Sequence, residues 1–166
     1  MIEKKKYSMS NRFIQKFAST RFGAWFGSHL MHHFDRLFLK INKTRTLTSI
    51  LSGLPIVILT TTGAKSGLPR TVPLVCIQQD NDTFAIIATN WGQSHYPAWY
   101  HNLKNNPQVT CSICGEVGEY TSHEAAGEEY DKFWNYAQNT YLGFSLYKQR
   151  VCQRHIPIMV MVHQSS

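Results

Sequence analysis

Residues 58–74 read Ile-Leu-Thr-Thr-Thr-Gly-Ala-Lys-Ser-Gly-Leu-Pro-Arg-Thr-Val-Pro-Leu, two apolar runs joined by a polar loop. Lys65, Ser66 and Arg70 bring an ammonium, a hydroxyl and a guanidinium to that loop, donors of the kind that hold phosphate or carboxylate. The spacing is not that of a phosphate-binding P-loop, which needs a glycine directly before its lysine, four residues between its glycines and a helix afterwards. A strand follows instead, with Pro69 and Pro73 restricting its start. Gly63 and Gly67 also suit a long hairpin connection that needs positive φ. Spacing alone therefore leaves open whether the loop grips an anion or only turns the chain.

Other reactive groups are less ordered. Cys111-Ser112-Ile113-Cys114 has redox-motif spacing, but in an extended strand residues three apart face opposite ways, which argues against a dithiol. His29, His32 and His33 can share a helix face, yet no further ligand completes a metal set, and no metal is expected. No nucleophile elbow and no His/Asp/Ser grouping is defined, so hydrolase chemistry is not indicated and no catalytic residue is assigned.

Charge is unevenly placed. Residues 1–48 carry ten Lys/Arg against two acids, whereas residues 49–166 carry seven against eight. A nucleic-acid reader normally spreads its basic residues over the folded body, so the imbalance points to an anionic membrane surface rather than to nucleic acid. No apolar run approaches the length of a membrane span, and no cleavable leader is evident, which predicts a cytosolic protein, peripheral at most. With 43% hydrophobic and 16% charged residues the composition is that of a globular chain. Four cysteines at this size do not call for disulfides.

These groups must be positioned by the elements around them. Residues 11–41 alternate aromatic and aliphatic side chains with Arg and Lys at near-helical spacing, a basic amphipathic arm of one or two helices kinked near Gly23 and Gly27. Residues 42–53 form a polar connector. Strands are expected over 55–61, 70–79, 83–89, 108–114, 116–122 and 156–163, with a tight turn at 80–82. One short helix opens with Pro97 at its first position and closes before Pro107; a second spans about 128–139, with acids in its first turn. Six strands with two inserted helices suggest a small barrel over 49–166, preceded by the arm over 1–48.

The run Thr60-Thr61-Thr62-Gly63-Ala64-Lys65-Ser66-Gly67-Leu68-Pro69-Arg70, then Pro73-Leu74, then Pro97-Ala98-Trp99-Tyr100-His101-Asn102-Leu103 with Asn106-Pro107, resembles the deazaflavin-dependent nitroreductase family. The likeness extends through Ile156-Pro157-Ile158 and covers roughly residues 50–162. It implies a mainly β fold with some helix, a split β-barrel of the FMN-binding type. It also implies an oxidoreductase that passes a hydride from reduced coenzyme F-420, an 8-hydroxy-5-deazaflavin with a phosphate and an oligoglutamate tail, to a quinone, nitroaromatic or similar flat electrophile. On that resemblance Lys65, Ser66, Gly67 and Arg70 hold the acidic tail, and Pro73 is a further cofactor-binding position. Ala88, Thr89 and Asn90, with Trp99 and Tyr100, frame the ring, and Tyr141, Phe144 and Tyr147 line the substrate pocket. Asn102 is assigned to structure.

Two departures bear on the assignment. Some relatives carry a lysine where Asn90 stands, and a phenol is missing at Phe144. The first leaves FMN as an alternative cofactor; the second favours a flat apolar quinone over a nitro substrate. Hydride transfer asks the protein to place donor and acceptor and exclude water, so no nucleophilic triad is needed. The arm either packs on the barrel or touches an anionic membrane, where quinones reside. A non-catalytic binder of a lipid or apolar cofactor is the reading from another class. Monomer or dimer is left open.

Overall fold

The structure, a computed structural model, describes residues 54–78, 82–141, 143–151 and 154–164. The expected arm over 1–48 with its three histidines, the connector over 42–53 and Cys152 lie outside the described residues.

Among the described residues six strands form, β1 (Ile56–Thr62), β2 (Pro69–Gln78), β3 (Thr83–Ile87), β4 (Gln108–Ile113), β5 (Glu116–Glu124) and β6 (Ile158–His163), each end within two residues of its expected place. They close into a barrel in the order β1-β2-β3-β6-β5-β4, every neighbouring pair antiparallel. This is the expected mainly β class with inserted helices. Pro73 pairs with Ile58 in β1, whereas β2 meets β3 only over Cys76–Gln78. The missing N–H of Pro73 is thus tolerated along a stretch of β2 whose second edge meets no described strand.

Strand alternation builds two cores. One set of side chains, Val57, Leu59, Cys76, Phe84, Ile86, Met159 and Met161 among them, fills the barrel. The intervening residues Ile77, Ala85, Ile87, Ile158 and Val160 face outward and are covered by helices. Strands β3 and β6 are thereby buried on both faces, which is why they read as continuous apolar runs.

Among the described residues three α-helices cover and plug this barrel: α1 (Ala98–Asn105), α2 (Gly127–Thr140) and α3 (Gly143–Arg150). Helix α3 was not expected. Pro97 stands one position earlier than anticipated, at the N-cap with φ −68° and ψ 151°, where its carbonyl accepts the Tyr100 N–H. Its fixed φ fits either place, but the extended ψ marks it as the residue before the helix. Trp99, Asn102, Leu103 and Asn106 fall at i, i+3, i+4 and i+7, one face of α1 and its cap. Trp99 and Leu103 on that face close the barrel interior.

Cys111 is buried within β4, whereas Cys114 is exposed in the turn just beyond that strand, at φ 53°, so the two thiols are kept apart by the strand's end rather than by alternation along it. Burial first, then Cys114 beside Cys76 and Glu119 beside Cys111, pushes both interior thiols from 9.0 up to about 12. Below about 9 both thiols are protonated folded or unfolded, so they favour neither state. Between about 9 and 12 only the unfolded chain loses these protons, and stability falls as pH rises. Thermal melts from pH 8 to 11 are expected to show a smaller decline in the Cys76→Ala, Cys111→Ala double variant than in the parent. An equal decline would place the titration elsewhere. Iodoacetamide at pH 8 should label Cys114 of the folded protein and leave Cys76 and Cys111 unmodified, read by peptide mass.

Candidate functional site

Because all strand pairs are antiparallel, the ends of β1, β3 and β5 and the starts of β2, β4 and β6 lie at the same barrel rim. The 63–68 loop, the segment 88–93, helix α1, residues 124–127 and residues 154–157 all emerge there. Sequence-distant candidates therefore share one end of the molecule.

The 63–68 loop is tightly made. Gly67 N–H donates to Gly63 O at 2.8 Å and Gly63 N–H to Leu68 O at 2.9 Å. Gly67 adopts φ +66°, and a Cβ at Gly63 would stand 2.6 Å from Ser66 Oγ, so each glycine has a local reason to be one. Ser66 Oγ accepts from Leu68 N–H and from Arg70 Nη2, each at 3.3 Å. Lys65, Ser66, Gly67 and Arg70 are all exposed. Among the described residues neither Lys65 nor Arg70 is paired with a carboxylate.

Helix α1 grips this loop from below. Asn102 Oδ1 accepts the Ala64 N–H at 3.0 Å, and Asn102 Nδ2 donates to Thr61 Oγ1 at 2.9 Å. Thr61 Oγ1 in turn donates to Arg70 O at 3.4 Å, while Asn106 Nδ2 donates to Thr62 Oγ1. One buried asparagine thus holds the entry side of the loop at Thr61 and Ala64 and reaches the β2 side through Thr61 Oγ1, a structural part with a specific object.

At the end of β3 the chain makes an unusual turn. Thr89 is right-handed helical, and Asn90, Trp91 and Gly92 follow with φ of 48°, 58° and 80°. Asparagine and glycine tolerate that region; a tryptophan there is an outlier. Three hydrogen bonds from Arg154 brace the turn: Nη1 to Ala88 O at 3.1 Å, Nη2 to Thr89 O at 2.8 Å and Nε to Gln93 O at 3.1 Å. The guanidinium also lies 4.9 Å from the centre of the Tyr96 ring. Nothing in the sequence pattern singles out Arg154.

The remaining candidates divide. Ala88 and Thr89 are buried, so what they offer the rim is chiefly backbone. Trp99 belongs to the barrel core and supports the rim from inside. Tyr100 is half-buried; its hydroxyl donates to Glu124 Oε2 at 3.1 Å, and burial with that carboxylate pushes the phenol up to about 12. Glu124 also meets Lys104 Nζ at 3.2 Å and His155 Nε2 at 3.5 Å. Residues 124–127 with Tyr130, Asp131 and His155 line an open cleft of about 530 Å³. Pro73 lies four residues down β2 from the rim position of Pro69, away from the other candidates.

Tyr141, Phe144 and Tyr147 are 3–6% exposed and pack with one another beneath α2 and α3. The Tyr141 and Tyr147 hydroxyls share a hydrogen bond at 3.2 Å, and burial raises both phenols above their usual range. Tyr147 meets Trp91 edge-on at 6.4 Å, so this aromatic group abuts the turn at the rim.

The sequence profile of a family described as F420H(2)-dependent quinone reductase matches residues 34–163. An F420H(2)-dependent quinone reductase from Mycobacterium tuberculosis is 32% identical over 113 residues, covering 66% of this chain and 74% of that protein. Among solved structures, an F420-H2 dependent reductase is 37% identical, with a TM-score of 0.59 over 64% of this chain and 93% of its own. A domain-swapped dimer, also 37% identical, aligns with a TM-score of 0.60 over 64% of this chain and 79% of its own. A haem storage protein from Vibrio cholerae, 12% identical with a TM-score of 0.52, shares the fold.

Proposed function

Since this chain belongs to the F420H(2)-dependent quinone reductase family, we propose that its braced barrel rim holds coenzyme F-420 and presents it to a quinone. The protein is an oxidoreductase with a split-barrel fold, and coenzyme F-420 is its cofactor. The observation that carries the placement is the donor set of the 63–68 loop. Lys65 and Arg70 are exposed, cationic and, among the described residues, without a carboxylate partner, while Asn102 fixes the backbone at Ala64, directly before Lys65. That set fits an anionic tail: Arg70 offers a planar fork, Lys65 a point charge and Ser66 a hydroxyl.

When bound, the coenzyme supplies a hydride to the acceptor. The chain's own part is placement and exclusion of water. Lys65, Ser66 and Arg70 hold the tail, and the Asn90 and Trp91 backbone amides are the donors that face the phosphate or ring. Trp99 and Leu103 seal the barrel end beneath them. Tyr100 stays a phenol at neutral pH, held by Glu124. Tyr141, Phe144 and Tyr147 are buried together and meet Trp91 through the Tyr147 ring, so they back the turn from within, and Trp91 is the aromatic side chain nearer a quinone at the rim. The basic arm over 1–48 is a candidate for contact with an anionic membrane, the source of such a substrate.

Parallel fluorescence titrations with oxidised F-420 and with FMN test this reading. F-420 is expected to saturate at a concentration at least about tenfold lower than FMN does. The opposite order would make the site a flavin site instead, and no saturation by either would remove the cofactor from this rim.

A further inference from the structure

We infer that Arg154 is a positioning residue for cofactor binding: from behind the turn at the end of β3 it orients and polarises the backbone donors that face the coenzyme. The inference rests on the placement proposed above and adds a residue that touches no ligand.

Thr89 O receives Arg154 Nη2 at 2.8 Å and, on its other side, the Gly92 N–H at 3.0 Å. In a trans peptide the C=O and the following N–H point in opposite directions. The Asn90 N–H, which belongs to the same peptide as Thr89 O, is therefore aimed away from Arg154. The Gln93 N–H folds back onto Asn90 O at 3.0 Å, leaving the Asn90 and Trp91 amides as the turn's outward donors. A right-handed residue followed by a left-handed one is the backbone form that makes a concave anion-binding nest, and Thr89–Asn90 has it, with the Thr89 N–H already given to Ile87 O and the next two amides left to the concavity.

Two costs oppose this arrangement. Trp91 at φ +58° is strained, and three carbonyls, Ala88, Thr89 and Gln93, are drawn to one side. Only a guanidinium satisfies all three at once, because Nε, Nη1 and Nη2 diverge in a plane; a lysine ammonium at the end of a flexible stem has no such fixed fork. The cation also withdraws charge through the Thr89 peptide and strengthens the Asn90 N–H as a donor. Asn90 brings no charge of its own, whereas Arg154 places its cation 2.8 Å from the Thr89 carbonyl of that peptide. Tyr96, stacked on the guanidinium and 4.9 Å from Tyr100, holds it in place.

Arg154→Lys and Arg154→Ala test the inference in two measurements. In the coenzyme-free protein, amide hydrogen exchange over residues 88–97 should accelerate in both variants while β1, β4 and β5 keep their protection. The dissociation constant for oxidised F-420 should rise about tenfold in both. Methylguanidinium, well below denaturing concentration, should restore affinity to Arg154→Ala and not to Arg154→Lys. Faster exchange with unchanged affinity would make Arg154 a fold residue only; unchanged exchange would show that the turn does not depend on it. Should the alanine variant fail to fold, the lysine variant still reads both quantities. Intact affinity here with lost affinity on changing Lys65 and Arg70 overturns the role of Arg154 alone. Intact affinity in both sets overturns the site itself.

Discussion

The Lys65→Ala, Arg70→Ala double variant is expected to bind oxidised F-420 about 100-fold more weakly than the parent at low salt, with its melting temperature nearly unchanged. Each cation contributes charge-assisted hydrogen bonds to an acidic tail, worth about 1.5 kcal/mol apiece, and about 1.4 kcal/mol is a factor of ten. Both side chains are exposed and neither is in an ion pair among the described residues, so removing them costs the fold within about 0.5 kcal/mol. A fluorescence titration repeated between about 0.05 and 0.3 M salt adds a second reading. The parent should lose affinity steeply with salt and the double variant much less, because screening acts on the charges that have been removed. Equal dissociation constants across that series would place the tail elsewhere.

Asn102→Ala is expected to lower stability by about 2 kcal/mol, a fall in Tm of roughly 4–8 °C, and to weaken coenzyme binding as well. The substitution strips the Ala64 N–H of its acceptor and Thr61 Oγ1 of a donor, at a position only 8% exposed where water is a poor substitute. Leu103→Ala separates the two effects. It opens a cavity in the barrel core at a cost of about 2–5 kcal/mol, one residue along the same helix, but leaves the asparagine's grip on the loop intact. Affinity should fall with Asn102→Ala and hold with Leu103→Ala, measured well below either melting point. Parallel losses would mean that the loop needs only a stable helix.

The strands were legible because their periodicity is local. β1 alternates half-buried and buried residues along Ile56–Thr62, and β3 and β6 are short β-branched or apolar runs bounded by turns. The two short helices announced themselves through Pro97 and through Glu128 and Glu129. Helix α3 did not: it begins at Gly143, exposes Leu146, and packs Phe144 and Tyr147 against α2 and Trp91 without a strong amphipathic stripe. At the rim, the loop cations were legible as residue types. What braces them was not. Arg154 reaches carbonyls 61 to 66 positions earlier in the chain, and a guanidinium that seeks backbone oxygens leaves no pattern in a sequence. The left-handed Trp91 runs against propensity altogether. Asn102 was readable as structural from its place beside Trp99 and Leu103, but its partner Ala64 lies 38 residues away.

That separation has a kinetic consequence. A turn whose shape is set by a helix 38 residues downstream, on a strand that must also find β4, cannot take form while the chain is still partly assembled. A ligand that recognises the turn selects only chains whose β1–β4 seam has already zipped. Coenzyme should therefore slow unfolding without hastening refolding, a clamp on the finished molecule and no template for its making.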